Sequence, residues 1–416
     1  MKPPPPLRRF LHSILPGIFL IGFNIGTGSV TAMAKAGANY GMALLWALLL
    51  SCLVTFYLIR LFGKYTIVTG ETALEAFRKH IHPAVGWFFL IALTVNVGGG
   101  IMGVMGIVSD VLHVWSRTWI EGGVPTLFWA IACVALVYGI FLLGSTQSFE
   151  RAMALMVAVM GVCFAINTVL MMPPLGDILR GLAPRIPENV GSATGGSYLV
   201  VASMVGTTVS SAIFIVRTTL VKEQGWKEGD LSLQTRDAGI SALLMFLISG
   251  AIMTSAAGTL FLHEVKLDQA SEMIPLLEPV AGSFAVTIFV FGITAAGLSS
   301  QIPNTLLLPW LLCDYFSLQR DMRKTSFRMV VLGMSLLGLV VPLFHGRPVF
   351  VMIASQAFAS LVLPTTVACI FYLTTRKSIM GAHANRRGDV ILLSVILLFA
   401  LFMGGVGFQG FLEDFL

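Results

Sequence analysis

Long apolar stretches recur along almost the whole chain, and they restrict its fold more than any other feature. Eleven predominantly apolar segments reach 18 or more residues, a length that crosses a bilayer as an α-helix. Only 11% of the 416 residues are charged, whereas a soluble domain has about 25%. The sequence therefore predicts an all-α membrane protein. Its predicted spans, numbered 1 to 11, cover residues 13–38, 41–62, 84–114, 125–145, 149–172, 197–221, 238–262, 282–313, 327–345, 348–374 and 388–411.

The segments between the predicted spans are short, which leaves no room for a separate soluble module. We therefore expect a single integral transporter domain over residues 13–416. Residues 1–12 contain a run of prolines and are expected to form a brief cytoplasmic tail.

Lysine and arginine are distributed unevenly between the two sides of this map. With a cytoplasmic N-terminus, the inner connections hold 20 of the 26 basic residues and the outer side holds 6. Arg217 and Arg236 are counted among the inner connections. The bias predicts that the N-terminus is cytoplasmic, in an integral multi-pass protein of a bacterial inner (plasma) membrane. The net charge of +6 is then explained by topology, and no nucleic-acid partner is predicted.

Spans 1 and 6 are interrupted by glycine and hydroxyl residues. Span 1 contains NIGTGS at 24–29, and span 6 contains VGTTVSSA at 205–212. If eleven spans divide into five plus five plus one, these two spans occupy corresponding positions. A pair of interrupted helices at such positions is the sequence feature typical of a transporter binding site, because unwound backbone must be buried or line a cavity. Helix packing through small residues is the alternative interpretation.

The connection between spans 2 and 3 reads TGETALEAFRKH, residues 69–80. Thr72 and Glu75 have the spacing of a capping box, and Leu74 and Phe77 fall on one helical face. A short amphipathic helix is predicted on the cytoplasmic side.

Several short motifs occur in a definite order across the spans. They are LPG at 15–17, GANYGMALLW at 37–46, TGETALEAFRK at 69–79, GTTVSSAIF at 206–214, AAGLSS at 295–300 and SQAFASLVLP at 355–364. In these motifs the chain resembles the Nramp family (natural resistance-associated macrophage protein), which are proton-coupled divalent metal transporters. The resemblance implies a LeuT-like 5+5 inverted repeat plus one extra helix, with helices 1 and 6 broken.

The residues at the family's metal site differ from the family pattern. Its Asp-Pro-Gly-Asn motif aligns with residues 26–29, so the metal-binding carboxylate is replaced by Gly26, and we expect glycine there to serve its backbone angles. Its Met-Pro-His motif aligns with residues 210–212, so the thioether ligand is absent. The resemblance implies metal-binding positions at Gly26, Ser29, Thr207, Ser210 and Gln356. Further contacts with the substrate are expected at Asn24, Thr27 and Ser211.

Ionisable groups are missing from the predicted midplane. The acidic residues that the family carries on span 3 are replaced by an apolar stretch around Thr94, Ile101 and Val104, while Asp110 and Asp314 fall toward span ends. Since proton relays inside membranes are built from Asp, Glu and His, transport is predicted not to be proton-coupled. Three further polar residues at depth are interpreted as helix-packing residues: Asn96, Ser300 and Asn304.

These residues favour transport of a divalent metal cation that keeps most of its water, as Mg²⁺ tends to. Family analogy alone would favour Mn²⁺ or Fe²⁺. Two alternatives remain open: a LeuT-fold carrier of a neutral or zwitterionic small solute, and a non-transporting membrane sensor or scaffold. No nucleophile–base pair or metal triad occurs at depth, so neither an enzyme nor a bound cofactor is predicted. The expected partners are the lipid bilayer and a small inorganic cation, with no obligate protein partner.

Overall fold

The computed structural model describes residues 26–143, 162, 166, 168–170, 172–188, 195–277 and 285–415. Every regular element in these ranges is helical, and eight of the described helices are long and apolar enough to cross a membrane. The prediction of an all-α membrane protein is confirmed. The predicted tail, Asn24 and most of span 5 lie outside the described residues.

The observed helices follow the predicted spans closely. Their bounds, with the span number in parentheses, are Thr27–Tyr40 (1, the described part), Leu45–Thr69 (2), Pro83–Ser116 (3), Thr126–Leu143 (4), Ser197–Thr208 and Ser211–Gln224 (6), Leu231–Thr259 (7), Ala285–Tyr315 (8), Thr325–Leu336 continued by 337–339 and Val340–Leu343 (9), Pro348–Thr375 (10) and Arg387–Phe415 (11). The largest differences are seven residues each: span 7 begins at Leu231 rather than at 238, and span 2 ends at Thr69 rather than at 62.

Span 6 is broken at its centre, as the sequence predicts. The first helix ends at Thr208, Val209 and Ser210 leave helical geometry, and a second helix begins at Ser211. Threonine, valine and serine are all weak helix formers. The carbonyl of Thr208 at the break accepts a hydrogen bond from Oγ1 of Thr55 on span 2, at 2.8 Å. The break is therefore supported by a neighbouring helix, as backbone at membrane depth requires.

The described half of span 1 begins at the residue after Gly26. Gly26 is extended, with φ −99° and ψ −167°, and the helix that follows is buried along its whole length from Thr27 to Tyr40. It packs against span 7, the first half of span 6 and span 10, and span 10 also contacts spans 3 and 11. Spans 1, 6 and 10 thus meet at the centre of the bundle.

Polar contacts join residues that the span map places on the same side of the membrane. On the predicted outer side, the fully buried Lys35 donates to the carbonyl of Leu267 at 2.9 Å and to Asp268 at 3.1 Å. On the predicted inner side, Lys222 of span 6 pairs with Glu75 of the connecting helix at 3.1 Å. This grouping agrees with the span map, while the orientation of the map in a membrane stays a prediction.

The connection between spans 2 and 3 contains the predicted short helix at Ala73–Ala76, continued as a π-helix over Phe77–Ile81. The predicted capping box is wrong, because the Thr72 side chain makes no cap hydrogen bond and Glu75 binds Lys222 instead. The N–H of Ala73 donates to Oγ1 of Thr218 at 3.0 Å. This connection is therefore anchored on span 6 rather than capped by its own residues.

A fully buried ion pair joins the second half of span 6 to span 7. Arg217 is 0% exposed, Asp237 is 1% exposed, and Nη1 of Arg217 lies 2.5 Å from Oδ2 of Asp237. The Trp226 ring covers the guanidinium at 5.3 Å. The assignment of Arg217 to an inner connection is wrong, since Arg217 lies on the helix Ser211–Gln224 and is buried against Asp237, which belongs to the early turns of span 7.

Candidate cation site

A small cavity lies where the break in span 6 meets the start of the span 1 half-helix. Its volume is about 50 Å³, whereas one water molecule needs about 10–15 Å³. The cavity therefore has room for an ion with part of its hydration shell. Spans 1, 3, 6, 8 and 10 supply its lining: Gly26, Gly28, Ser29, Asn96, Val97, Gly100, Val104, Thr207, Ser210, Ala212, Ser300, Asn304 and Gln356.

All five positions proposed for metal binding line this one cavity. Gly26 and Ser29 come from span 1, Thr207 and Ser210 from span 6, and Gln356 from span 10. The break in span 6 and the start of the described helix of span 1 therefore face a common space, although a long stretch of sequence separates them.

Two of the three residues proposed as further substrate contacts are not in the lining. Oγ of Ser211 is buried and lies 2.6 Å from Oγ1 of Thr366, in a hydrogen bond between spans 6 and 10. Thr27 is buried beside Gly297 of span 8, and its hydroxyl has no hydrogen-bond partner in the structure. Asn24 lies outside the described residues.

Gly26 lies at the cavity, where its backbone is in close contact with span 8. A Cβ atom added at Gly26 would lie 2.5 Å from Cβ of Ser300 and 2.6 Å from its Oγ. The backbone angles of Gly26 are extended and open to any residue, so the expectation that glycine serves its backbone angles is wrong. The space next to Gly26 is filled by the Ser300 side chain.

Asn96 on span 3 is fixed beside the cavity by two reciprocal bonds to span 10. Its Nδ2 donates to the carbonyl of Ser355 at 2.7 Å, and Oγ of Ser355 donates to the carbonyl of Asn96 at 2.7 Å. These bonds show that Asn96 is a packing residue, as interpreted, and it also lines the cavity. Since Nδ2 is engaged with protein, Oδ1 remains as the acceptor that the side chain can offer to a ligand.

Gln356 on span 10 packs between spans 1 and 6. Its Nε2 lies 3.6 Å from Sδ of Met352, one turn earlier on the same helix, and it would be 2.6 Å from a Cβ added at Gly28. The carbonyl of Gln356 packs on Gly206, where an added Cβ would lie 1.9 Å from it. Both glycines thus admit Gln356 between spans 1 and 6, and its Oε1 is left as an acceptor.

Among the described residues, the lining offers hydroxyl and amide oxygens and contains no charged or sulfur-bearing side chain. Val104 contributes to it from span 3, where the family resemblance would place an acidic residue. Within the described part of the chain, no cluster of three or more His, Cys, Asp or Glu residues could hold a metal ion. Such a surface can accept hydrogen bonds from bound water and can coordinate a hard cation weakly through oxygen.

The packing interpretation of Ser300 and Asn304 is incomplete, because both residues line the cavity. They are four positions apart on span 8 and so share one helical face. That spacing is visible in the sequence, next to AAGLSS, and is the signal that could have placed span 8 in the site.

The chain matches a known protein family and is similar to known metal transporters. Residues 17–408 match the family described as "Natural resistance-associated macrophage protein-like". Among similar proteins, the "Divalent metal cation transporter MntH" of Deinococcus radiodurans is 24% identical, over 96% of this chain and 90% of that protein. The "Metal transporter Nramp5" of Oryza sativa subsp. japonica is 23% identical, over 96% and 74%.

Solved structures with the same fold are also similar to this chain. A manganese transporter of Eremococcus coleocola superposes with a TM-score of 0.79 at 16% identity, over 100% of this chain and 91% of that one. Mhp1, a nucleobase-cation-symport-1 family transporter, gives 0.62 at 16% identity, over 96% and 90%. At these identities the likeness establishes the fold, and the neighbours confirm the LeuT-like class without fixing the number of spans at eleven.

Proposed function

The chain belongs to the Nramp family, and on this premise we propose that it is a secondary transporter of a divalent metal cation. We propose further that its cargo is a hydrated, Mg²⁺-like ion and that transport is not coupled to protons. The observation that carries the proposal is the cavity between the break in span 6 and the start of the described helix of span 1, whose described lining includes polar side chains but no charged one.

The acceptor groups of the cavity support a hydrated cargo. Water bound to a cation points its hydrogens outward, so a site for a hydrated ion needs hydrogen-bond acceptors. The amide groups of Asn96 and Gln356 are held by their nitrogen ends, which leaves their oxygens as acceptors. The hydroxyls of Ser29 and Ser210 also belong to the lining.

The absence of charge from the lining argues against a dehydrated transition metal. Stripping water from a divalent ion costs several kcal/mol at the least, and the lining offers no carboxylate to offset that cost. Thioether and thiolate ligands, which favour softer metals, are also absent from it. Mg²⁺ gives up its water reluctantly and is usually bound with several waters retained.

The same lining supports transport without protons. No lining side chain in the part of the chain that the structure describes titrates near neutral pH. Hydroxyls and amides can order a chain of water, but they do not store a proton.

The volume of the cavity favours an ion over an organic solute. Pockets for organic ligands usually measure about 300–1,000 Å³, well above the 50 Å³ found between the breaks.

Uptake into liposomes tests the proposal. Purified protein is reconstituted with a Mg²⁺-sensitive or a Mn²⁺-sensitive dye inside, and with a pH dye in parallel vesicles at clamped voltage. We expect saturable Mg²⁺ entry, slower Mn²⁺ entry, and no acidification. Gln356→Leu should weaken uptake, while Gln409→Leu on the exposed face of span 11 serves as the matched control.

Substrate-dependent acidification, absent from empty vesicles, would refute the uncoupled mechanism. Mn²⁺ entry faster than Mg²⁺ entry would refute the hydrated-ion cargo. Failure of every divalent cation to enter, together with uptake of a labelled zwitterion, would favour the organic-solute carrier.

A further inference from the structure

We infer that Ser300 is a specificity-determining residue of the cavity. Its hydroxymethyl group occupies the space into which any side chain at position 26 would project, and it thereby keeps a carboxylate out of the site. The inference rests on the proposed function in so far as the cargo is a cation.

Ser300 lies so close to the backbone of Gly26 that no side chain fits at position 26. A Cβ at position 26 would lie 2.5 Å from Cβ of Ser300, whereas carbon atoms in ordinary contact are about 3.5–4.0 Å apart. Because a Cβ is fixed by its own backbone, no rotamer change at Ser300 relieves the overlap.

The close approach continues over a full turn of span 8. A Cβ added at Gly297 would lie 2.4 Å from Cγ2 of Val108 and 3.1 Å from Oγ1 of Thr27. Ser300 itself is 2% exposed. Relief of the overlap therefore requires that whole helices move in a tightly packed region, and such overpacking destabilises a protein.

Ser300 also supplies a neutral group in place of the acid it excludes. Its Oγ donates to the carbonyls of Ala296 at 3.0 Å and Gly297 at 3.1 Å on its own helix. With its proton directed to the helix, the hydroxyl oxygen retains acceptor capacity, and Ser300 is part of the cavity lining. Gly26 and Ser300 are thus a matched pair that keeps the site uncharged.

The proposed collision predicts different Mn²⁺ binding for a change at position 26 alone and for changes at positions 26 and 300 together. Gly26→Asp by itself should not create a Mn²⁺ site, because the new side chain collides with Ser300. Ser300→Gly removes both colliding atoms and should let the carboxylate enter the cavity.

Four proteins test this: wild type, Gly26→Asp, Ser300→Gly and the double variant. Mn²⁺ and Mg²⁺ binding are measured by calorimetry after gel filtration has shown folded protein. We expect the double variant to bind Mn²⁺ at least tenfold more tightly than wild type and each single variant. A folded Gly26→Asp protein that binds Mn²⁺ as tightly as the double variant would overturn the inference, as would a folded double variant with no gain.

If the aspartate variants do not fold, a second set of variants tests the same collision through thermal stability. Gly26→Ala adds only the colliding Cβ, so it should lower the thermal midpoint, and Ser300→Gly in the same protein should restore most of that loss. Additive effects of the two changes would show that the residues do not collide. This test needs no cargo, so its failure is distinguishable from a wild type that transports no divalent cation.

Discussion

The cavity at the break in span 6 and the predicted inner end of the bundle differ in the charged side chains that they contain. The described residues line the cavity with hydroxyl, amide, backbone and small apolar groups and contribute no ionisable side chain to it. At the predicted inner end, Arg217 and Asp237 are buried as an ion pair between spans 6 and 7, and Arg320, which follows span 8, binds Glu223 of span 6 at 2.6 Å. Charge at this end therefore joins separate elements of the bundle, while the described lining of the cavity offers neutral groups alone.

This contrast indicates that stability and selectivity depend on different residues. Removing one partner of a buried ion pair leaves an uncompensated charge inside the protein and is strongly destabilising. Removing a neutral acceptor that faces a cavity affects mainly the ligand that it would contact. Variants in the two regions should accordingly change different measured quantities.

The largest effect is expected from the buried pair. Asp237→Asn leaves the Arg217 guanidinium buried without its counter-charge and should lower the free energy of unfolding by about 3–5 kcal/mol. Thermal and denaturant unfolding in detergent would measure it. The double variant Arg217→Met/Asp237→Leu, which removes both charges, should be clearly more stable than Asp237→Asn. Equal stability of Asp237→Asn and wild type would mean that the pair does not hold these helices.

A smaller effect, on binding rather than on folding, is expected at Asn304. Asn304→Leu removes one amide acceptor from the lining, and a hydrogen bond of this kind contributes about 1.5 kcal/mol. Mg²⁺ affinity should fall by about tenfold, while the free energy of unfolding changes by less than about 1 kcal/mol. Calorimetry and thermal unfolding on the same preparation separate the two. Unchanged Mg²⁺ affinity in the folded variant would remove Asn304 from the site.

A still smaller, pH-dependent effect is expected at Glu71, outside the spans. Burial acts to raise the pKa of this carboxyl, but hydrogen bonds from Lys79, His80 and Tyr65 outweigh it and hold the pKa below its ordinary 4.5. A carboxyl with a lowered folded-state pKa stabilises the protein above its unfolded pKa, and that contribution is lost as pH falls further. Thermal midpoints of wild type should therefore drop below about pH 4.5.

Glu71→Gln is the variant that isolates this contribution. It should flatten the acid part of the profile, whereas Glu413→Gln near the end of span 11 should leave that part unchanged. Profiles of wild type and Glu71→Gln that run parallel would show that Glu71 contributes nothing to the pH dependence.

The last prediction concerns topology. The single cysteine substitutions that test it should leave the stability of the protein unchanged. Single cysteines at Arg323 and Lys266 lie on opposite sides of the span map, so an impermeant maleimide should label Arg323→Cys from the cytoplasm and Lys266→Cys from outside. The four described native cysteines are buried, which keeps their background labelling low. Labelling of both variants from the same side would reject the map.

Much of the fold could be predicted from the sequence, because apolar runs and interrupting residues are local signals. The spans, the break in span 6 and the five positions that meet at the cavity all follow from such signals and from the family resemblance. The beginning of span 7 does not, since its first turns, LSLQTRDAG at 231–239, are too polar to extend an apolar run. The ion pair of Arg217 and Asp237 was missed for this reason.

The contact of Gly26 with Ser300 could not be predicted from local patterns either. It joins two helices that are far apart in the chain, and a glycine reveals nothing in sequence about which side chain fills the space beside it. The sequence does not assign Asn304 to the cavity, because an isolated amide in a long helix is usually a packing residue.

The reciprocal bonds between Asn96 and Ser355 have a mechanical consequence. Two hydrogen bonds of 2.7 Å connect spans 3 and 10 at a single level of the membrane, and sliding of one span along the other would break both at once. Each broken group would be left unpaired at a depth with little water, which is costly. While these bonds hold, spans 3 and 10 form a fixed wall of the cavity, and a passage toward either side of the membrane must open by displacement of spans 1, 6 or 8 against that wall.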